Sequence, residues 1–211
     1  MDSANFKTLC ERLSQSLQRE DVNIKPYRSE ALASFNSLEP AQKERAFKTL
    51  RDYVDICEGA QKEHISLRDS ERFCRKALER WGLSPSSDFF IGVENGDCVE
   101  VYTEEGFQVF RNLRFFELSS YTVEELYCIE WWKLFGRNPG LTEKLFSMCL
   151  QTLQGRTPGT LVFDMPEHDV WESVSAEKRH FMVQPKFGSA LHREGRILGF
   201  LVANRVRPQK T

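Results

Sequence analysis

Apolar side chains recur at helical spacing through the first part of the chain. Phe6, Leu9, Cys10, Leu13 and Leu17 fall on one face, and Phe47, Leu50, Val54 and Cys57 do so again after Pro40. Each run predicts one amphipathic helix. A third is predicted from Ser66, which with Asp69 has the form of a capping box, through Leu67, Phe73, Cys74, Ala77, Leu78 and Trp81 to a stop at Gly82. Such stripes have to be covered by one another, by the rest of the chain or by a second molecule. Residues 62–82 directly precede a different texture, which makes them a candidate dimerising or signal-carrying helix, although their apolar positions sustain too few heptads for a coiled coil.

The texture changes at Leu83-Ser84-Pro85-Ser86-Ser87, which divides the chain into a helical segment, residues 1–83, and a second domain, residues 84–211. Phe89 to Glu94 predicts a strand, Asn95-Gly96 a tight hairpin turn, and Cys98 to Tyr102 its partner. A second turn at Glu104-Glu105-Gly106 leads into Phe107 to Phe110, and Arg111-Asn112 ends that strand. Thr122 and Glu125 form a capping-box pair for a short helix carrying Val123, Leu126 and Tyr127, and Trp131, Trp132, Leu134 and Phe135 follow as an apolar cluster. After Asn138-Pro139-Gly140, Leu141, Leu145, Cys149 and Leu153 share one side of a helix, and Phe146, Met148 and Leu150 broaden the stripe up to Gly155. That breadth predicts a well-buried helix. Strands return at Thr160 to Met165, Phe181 to Phe187 and Ile197 to Val206, the last two joined by a turn at Arg193-Glu194-Gly195-Arg196. Strands, then helices, then strands predict an α+β fold in which one antiparallel sheet is covered on one face by short helices.

Composition narrows the functional classes. Twenty-nine basic against thirty-one acidic side chains give a net charge of -2, and residues 1–83 alone carry fifteen basic and fourteen acidic ones, so neither the chain nor its helical half has the footprint of a nucleic-acid binder. No apolar run approaches the ~18 residues of a membrane span, and the opening MDSANFKTLCERL mixes charges where a signal peptide needs an apolar stretch. A cytoplasmic protein is expected. Cys10, Cys57, Cys74, Cys98, Cys128 and Cys149 are scattered without a Cys-x-x-Cys pair, which predicts free thiols and no metal site.

With these elements placed, residues 98 to 206 resemble a PAS domain, the sensory module of many signalling proteins. VEVYTEEGFQVFRN is similar to that family's first two strands, and FFELSSYTVEELY to its Asn…Phe…Gly-Tyr-Ser-x-Glu-Glu-Leu segment. The helix ending in Leu-Gln-Gly155 resembles its long connecting helix, and EGRILGFLVANRV its final strand. Three departures stand out. Ser120 replaces the usual Gly; the strand Phe89 to Glu94 competes with the final strand for one sheet edge; and the short hairpin before the penultimate strand gives way to a loop, Pro166 to Lys178, carrying Trp171.

Few residues suggest catalysis. His64, His168, His180 and His192 lie in unrelated contexts, Asp164, Glu167 and Asp169 read as a solvated loop, and there is neither a Gly-x-Ser-x-Gly turn nor a phosphate-cradling glycine motif. No catalytic residue is assigned, and the chain is not expected to be an enzyme. The resemblance instead implies a ligand cavity between sheet and helices, with Phe116, Leu126, Trp132, Phe135, Leu145, Met148, Cys149, Phe181, Val183 and Phe200 as candidate lining; a solid core would use the same residues. The cofactor stays open. The flavin-photosensing segment Asn-Cys-Arg-Phe-Leu-Gln is absent and residues 141–154 contain no His for haem, which leaves Cys149 as a candidate haem thiolate and Cys128 as a candidate redox thiol.

The resulting expectation is a PAS-like sensory or protein-interaction module in intracellular signalling, coupling a small-molecule ligand or a partner to helix packing and to a homodimer or signalling complex. A small enzyme using the cavity with residues 164–180, a transcription regulator binding DNA through its N-terminal helices, and a plain scaffold are the alternatives.

Overall fold

The computed structural model describes residues 2–209. It opens with four helices, α1 (Ser3–Gln18), α2 (Ala33–Asn36), α3 (Pro40–Lys62) and α4 (Ser70–Trp81). The Asp2 carboxylate accepts the Ala4 N–H at 3.0 Å, and Glu39 and Gln42 close a reciprocal capping box before α3. The start of α4 lies three residues beyond the sequence expectation. Asp69, rather than Ser66, is its N-cap and accepts the Arg72 N–H at 3.1 Å. Ser66 instead accepts the Arg68 N–H at 3.2 Å in a turn that drives Leu67 into the core. Gly82 closes α4 at φ 62°, a left-handed backbone that only glycine adopts freely.

The second half begins with a correction. Phe89–Gly92 forms one turn of 3-10 helix, not a strand, and buries Phe89 and Phe90 edge to face at 5.1 Å. The edge it would have occupied belongs to the last strand. The remaining elements are β1 (Asp97–Thr103), β2 (Gln108–Arg111), α5 (Leu113–Leu118), α6 (Val123–Cys128), α7 (Trp131–Leu134), β3 (Phe135–Arg137), α8 (Pro139–Leu153), β4 (Leu161–Val162), β5 (His168–Glu172), β6 (His180–Arg193) and β7 (Arg196–Pro208). The strand order is β2-β1-β7-β6-β5-β3, with β4 also on β6, and every pairing is antiparallel. β7 pairs with β1 from Asp97↔Arg205 to Thr103↔Gly199, a seven-residue register that outcompetes a short hairpin through Asn95-Gly96.

β3 and β5 were not anticipated. The segment Pro166 to Lys178, read as a loop, contains β5, whose inward positions are His168, Val170 and Glu172. Two of those three are polar, so the period-two alternation is hidden in an apolar count. β3 is three residues long and directly follows α7. A side chain at Gly136 would meet the Trp171 indole at 2.4 Å, so this pairing of β3 with β5 requires glycine there.

The pleat sorts the central strands into two faces. Val99, Val101, Leu201 and Ala203 share their side with Phe110, whose ring lies 5.6 Å from Tyr53 of α3 and 5.1 Å from Phe73 of α4. Cys98, Glu100, Tyr102, Phe200, Val202 and Asn204 face the other way, toward α8. Helices therefore cover both faces, where the pattern predicted a cover on one. The N-terminal stripes supply the second layer, and one core runs continuously from Phe6 in α1 to Ala203 in β7. α8 is a further correction: only Thr152 is buried, and Phe146 and Leu150 are 46% and 54% exposed.

Polar clamps lock the layers together. Asn112 is fully buried; its Oδ1 accepts the Val99 N–H at 3.1 Å, and its Nδ2 donates to Asp97 O and to Ser70 Oγ, both at 2.8 Å. It thereby joins β1 to the start of α4. At α6, Glu124 accepts the Phe35 N–H at 3.1 Å, Glu125 pairs with Arg28 at 2.6 Å, and the Thr122–Glu125 capping box forms as expected. Buried Glu172 accepts from Ser120 N at 2.7 Å, Ser175 Oγ at 2.7 Å, Arg179 N at 3.2 Å and Ser120 Oγ. A hydroxyl at Ser120 is thus bonded in a way that the glycine of the PAS pattern could not be.

Asn112→Ala should lower unfolding stability by about 3 kcal/mol, because it strips side-chain partners from Val99 N–H, Asp97 O and Ser70 Oγ in a buried site. Urea unfolding measures it. A loss below about 1 kcal/mol would mean that water replaces these bonds.

Candidate functional site

Between the Glu100 face of the sheet and α8 lies a cavity of about 400 Å³. β1, β6 and β7 supply one wall, and Leu145, Phe146, Cys149, Leu150 and Leu153 of α8 supply the other. Phe115, Leu118, Phe135 and Val170 close one side, and residues 103–106 of the β1–β2 turn form the rim. There Trp131 donates its indole N–H to Gly106 O at 2.9 Å and stacks on Phe146 with centroids 5.5 Å apart. The space persists because Phe200 lies down over Gly188, whose missing Cβ would sit 2.4 Å from its ring. A side chain at position 188 would push that ring into the void.

Of the lining assigned from sequence, Phe135, Leu145, Cys149, Phe181, Val183 and Phe200 do line this cavity. The others are elsewhere. Phe116 belongs to the aromatic cluster around Tyr53, 5.8 Å from its ring, and Leu126 is buried in the main core. Trp132 points outward, 43% exposed, against the edge of Trp131. Met148 packs on the small cluster containing Phe163 and Phe200. The short helices α5 to α7 change direction every few residues, so a helical face cannot be extended from one to the next.

Sequence reasoning missed the polar wall. Glu100 receives three donors: Tyr102 Oη at 2.6 Å and Gln108 Nε2 on Oε2, and Asn204 Nδ2 at 3.0 Å on Oε1. Burial pushes its carboxyl above the usual range, opposed by the Tyr102 and Asn204 hydrogen bonds and by the Arg111 and Arg137 charges. Gln108 keeps its Oε1 without a partner. Arg137 also lines the cavity; its guanidinium has no ion-pair or hydrogen-bond partner among the described residues and lies 5.7 Å from the Trp131 ring. Burial lowers its pKa, against the raising influence of Tyr102 and Glu100. The signal was available in the hairpin: once Val99 and Val101 face the core, Glu100 and Tyr102 have to face away from it.

The remaining chemistry-bearing residues lie outside the cavity. His168 is buried with Nδ1 3.1 Å from Pro166 O, His180 stands 3.5 Å from Asp169, and Glu167 pairs with Arg207 at 2.6 Å. None of these, nor His64, His192 or Asp164, is part of its lining. Among the described residues no group of three or more His, Cys, Asp or Glu could hold a metal ion. Burial pushes the Cys149 thiol up to about 12 and raises Cys128 as well, so both thiols are protonated at neutral pH. No described helix is long and apolar enough to cross a membrane. Comparison with family models, curated proteins and solved structures finds no match to this chain.

A carboxyl whose pKa is raised by folding supports stability below the ordinary glutamate value of 4.5 and erodes it as pH climbs through the raised value. Glu100→Gln removes that dependence. In urea unfolding from pH 4 to pH 8, the stability of E100Q relative to the native protein should shift progressively in the variant's favour. A difference that stays constant across this range would show that Glu100 ionises as freely in the fold as in the unfolded chain.

Proposed function

We propose that this chain is a PAS-like sensory or protein-interaction module in intracellular signal transduction, without catalysis of its own, in which occupancy of the cavity biases the packing of the flanking helices. The observation that carries this reading is the cavity itself, an apolar space with one polar wall between an antiparallel sheet and a single long helix. Its size falls within the range of small-molecule sites. A hairpin at one end of the sheet, short helices, α8 and a final strand seated beside the first agree with the resemblance in residues 98–206.

A ligand shifts an equilibrium only through its differential affinity for the two states. The route to the helical segment is short. Cys98 and Glu100 line the cavity and flank Val99, whose N–H is held by Asn112, and the same Asn112 holds Ser70 at the start of α4. A partner, whether a second copy or another signalling protein, would meet α4 through its charged outer side, since Phe73, Cys74, Ala77 and Leu78 are buried within this chain.

Octan-1-ol serves as an apolar probe of the cavity, with native mass spectrometry reporting its retention and hydrogen exchange reporting the response of α4. The slowest amides of α4 should change their exchange rate at least tenfold when the probe is retained, and Asn112→Ala should abolish that change. Retention without any response in α4 would overturn the signalling role.

A further inference from the structure

We infer that the cavity takes a small amphipath bearing a carboxylate, with the carboxylate against Arg137 and the apolar body along α8. This rests on the cavity being a ligand site, as proposed above, and adds the chemistry of its occupant.

The argument starts from Arg137. It sits on β3 in the lining of a mainly apolar space, and none of its donors meets a carboxylate, carbonyl or hydroxyl among the described residues. A half-buried guanidinium without a counter-ion leaves its donors free for a ligand, whereas Lys186, also half-buried, reaches Asp97 at 2.6 Å. Arg111 is also without a carboxylate and keeps Nη1 unpartnered, but it is flanked by the Phe115 and Tyr127 rings at 5.0 and 5.1 Å and donates from Nη2 to Leu126 O at 3.0 Å. It is not part of this lining. Among the described residues Arg137 is therefore the cation of this lining, and its donors are free for a ligand.

Glu100 does not fulfil the need. Its two oxygens already accept from Tyr102, Asn204 and Gln108, and no ion pair joins it to Arg137. A cationic ligand would have to share Glu100 with the three donors already on it and sit in the same lining as the Arg137 charge. Besides the buried Gln108 Oε1, what remains open is the planar fork of donors on Arg137, the geometry that matches a carboxylate through two parallel hydrogen bonds. Beyond it, Leu145, Cys149, Leu150 and Leu153 present apolar surface along α8, and Phe181 and Val202 do so opposite them. An apolar chain or ring fits that surface, and a fully polar anion such as phosphate would leave it unsatisfied.

The test compares octanoate with octan-1-ol, two probes that share a chain and differ in the head group, by isothermal titration at pH 7.5. The native protein should bind octanoate at least as tightly as octan-1-ol, although the carboxylate is far more strongly hydrated. In Arg137→Gln the ratio of octanoate to octan-1-ol dissociation constants should rise at least tenfold, with octan-1-ol binding retained as evidence that the variant is folded; Arg137→Lys should keep part of the preference. Octan-1-ol binding with octanoate tenfold weaker in the native protein overturns this inference and leaves the cavity reading intact, whether or not the variants fold. An unchanged ratio in R137Q also overturns it. Binding of neither probe overturns the cavity reading and this inference together.

Discussion

The ring of Tyr53 stands where the two halves of the chain meet, and neither half has a complete core without it. Its centroid lies between 5.6 and 6.1 Å from the rings of Phe73, Phe110, Phe116 and Tyr127, which come from α4, β2, α5 and α6. Its hydroxyl, fully buried, donates to Arg111 O at the end of β2. A buried phenol is stabilised by such an acceptor, and this bond together with the ring contacts sets both the position of α3 and its rotation about its axis. The helical segment is thereby a layer of the same core as the sheet rather than an appendage preceding it. The change of texture near residue 84 marks a change of secondary structure, and the packing runs across it.

That layering accounts for the cavity on the far side of the sheet. With Val99, Val101 and Phe110 committed to the helical layer, the alternate positions Glu100, Tyr102 and Gln108 are turned toward α8. The bulge between Val101 and Tyr102 keeps Phe110 and Gln108 on opposite faces although they are two residues apart. Large hydrogen-bonded polar groups cannot interdigitate as a Leu or Ile cluster does. α8 accordingly rests on the cluster of Phe163, Met165, Phe200 and Val202 along one side, through Leu141, Leu145, Met148, Cys149 and Leu153, and on the Trp131 ring through Phe146.

What was legible in the sequence was whatever rested on local signals. The helical stripes, the Thr122–Glu125 box, the Gly106 turn and the β6–β7 hairpin, with Glu194 and Gly195 at φ 52° and 78°, all formed where the residue types require them. The strand misses share a cause, since each turned on residues elsewhere in the chain. Phe89 and Phe90 have strand-like texture, yet the edge of β1 is taken by residues a hundred positions later. β5 hides because Glu172 and His168 occupy inward positions, Glu172 accepting from Ser120 and Ser175 and His168 Nδ1 lying within hydrogen-bond distance of the Pro166 carbonyl. The apolar half of the cavity lining was readable from stripes, whereas Arg137 and the Glu100 cluster became visible only once the sheet showed which face they share.

The packing of α4 also limits what kind of switch the proposed sensor can be. Detaching α4 would expose Phe73, Cys74, Ala77 and Leu78, at a cost of about 6 kcal/mol when the side-chain values are summed. A ligand driving that change would have to favour the detached state roughly 10⁴-fold. A small amphipath offers far less, because most of its burial is the same in both states. A tenfold bias, in contrast, needs only about 1.4 kcal/mol, or two methylenes better buried in one state than in the other. A displacement of that size is compatible with α4 staying on the core while its N-terminus moves with Asn112 and β1. The output of such a device would be a change in the position and exposure of charged residues on α4's outer side, not the release of an apolar helix to dimerise.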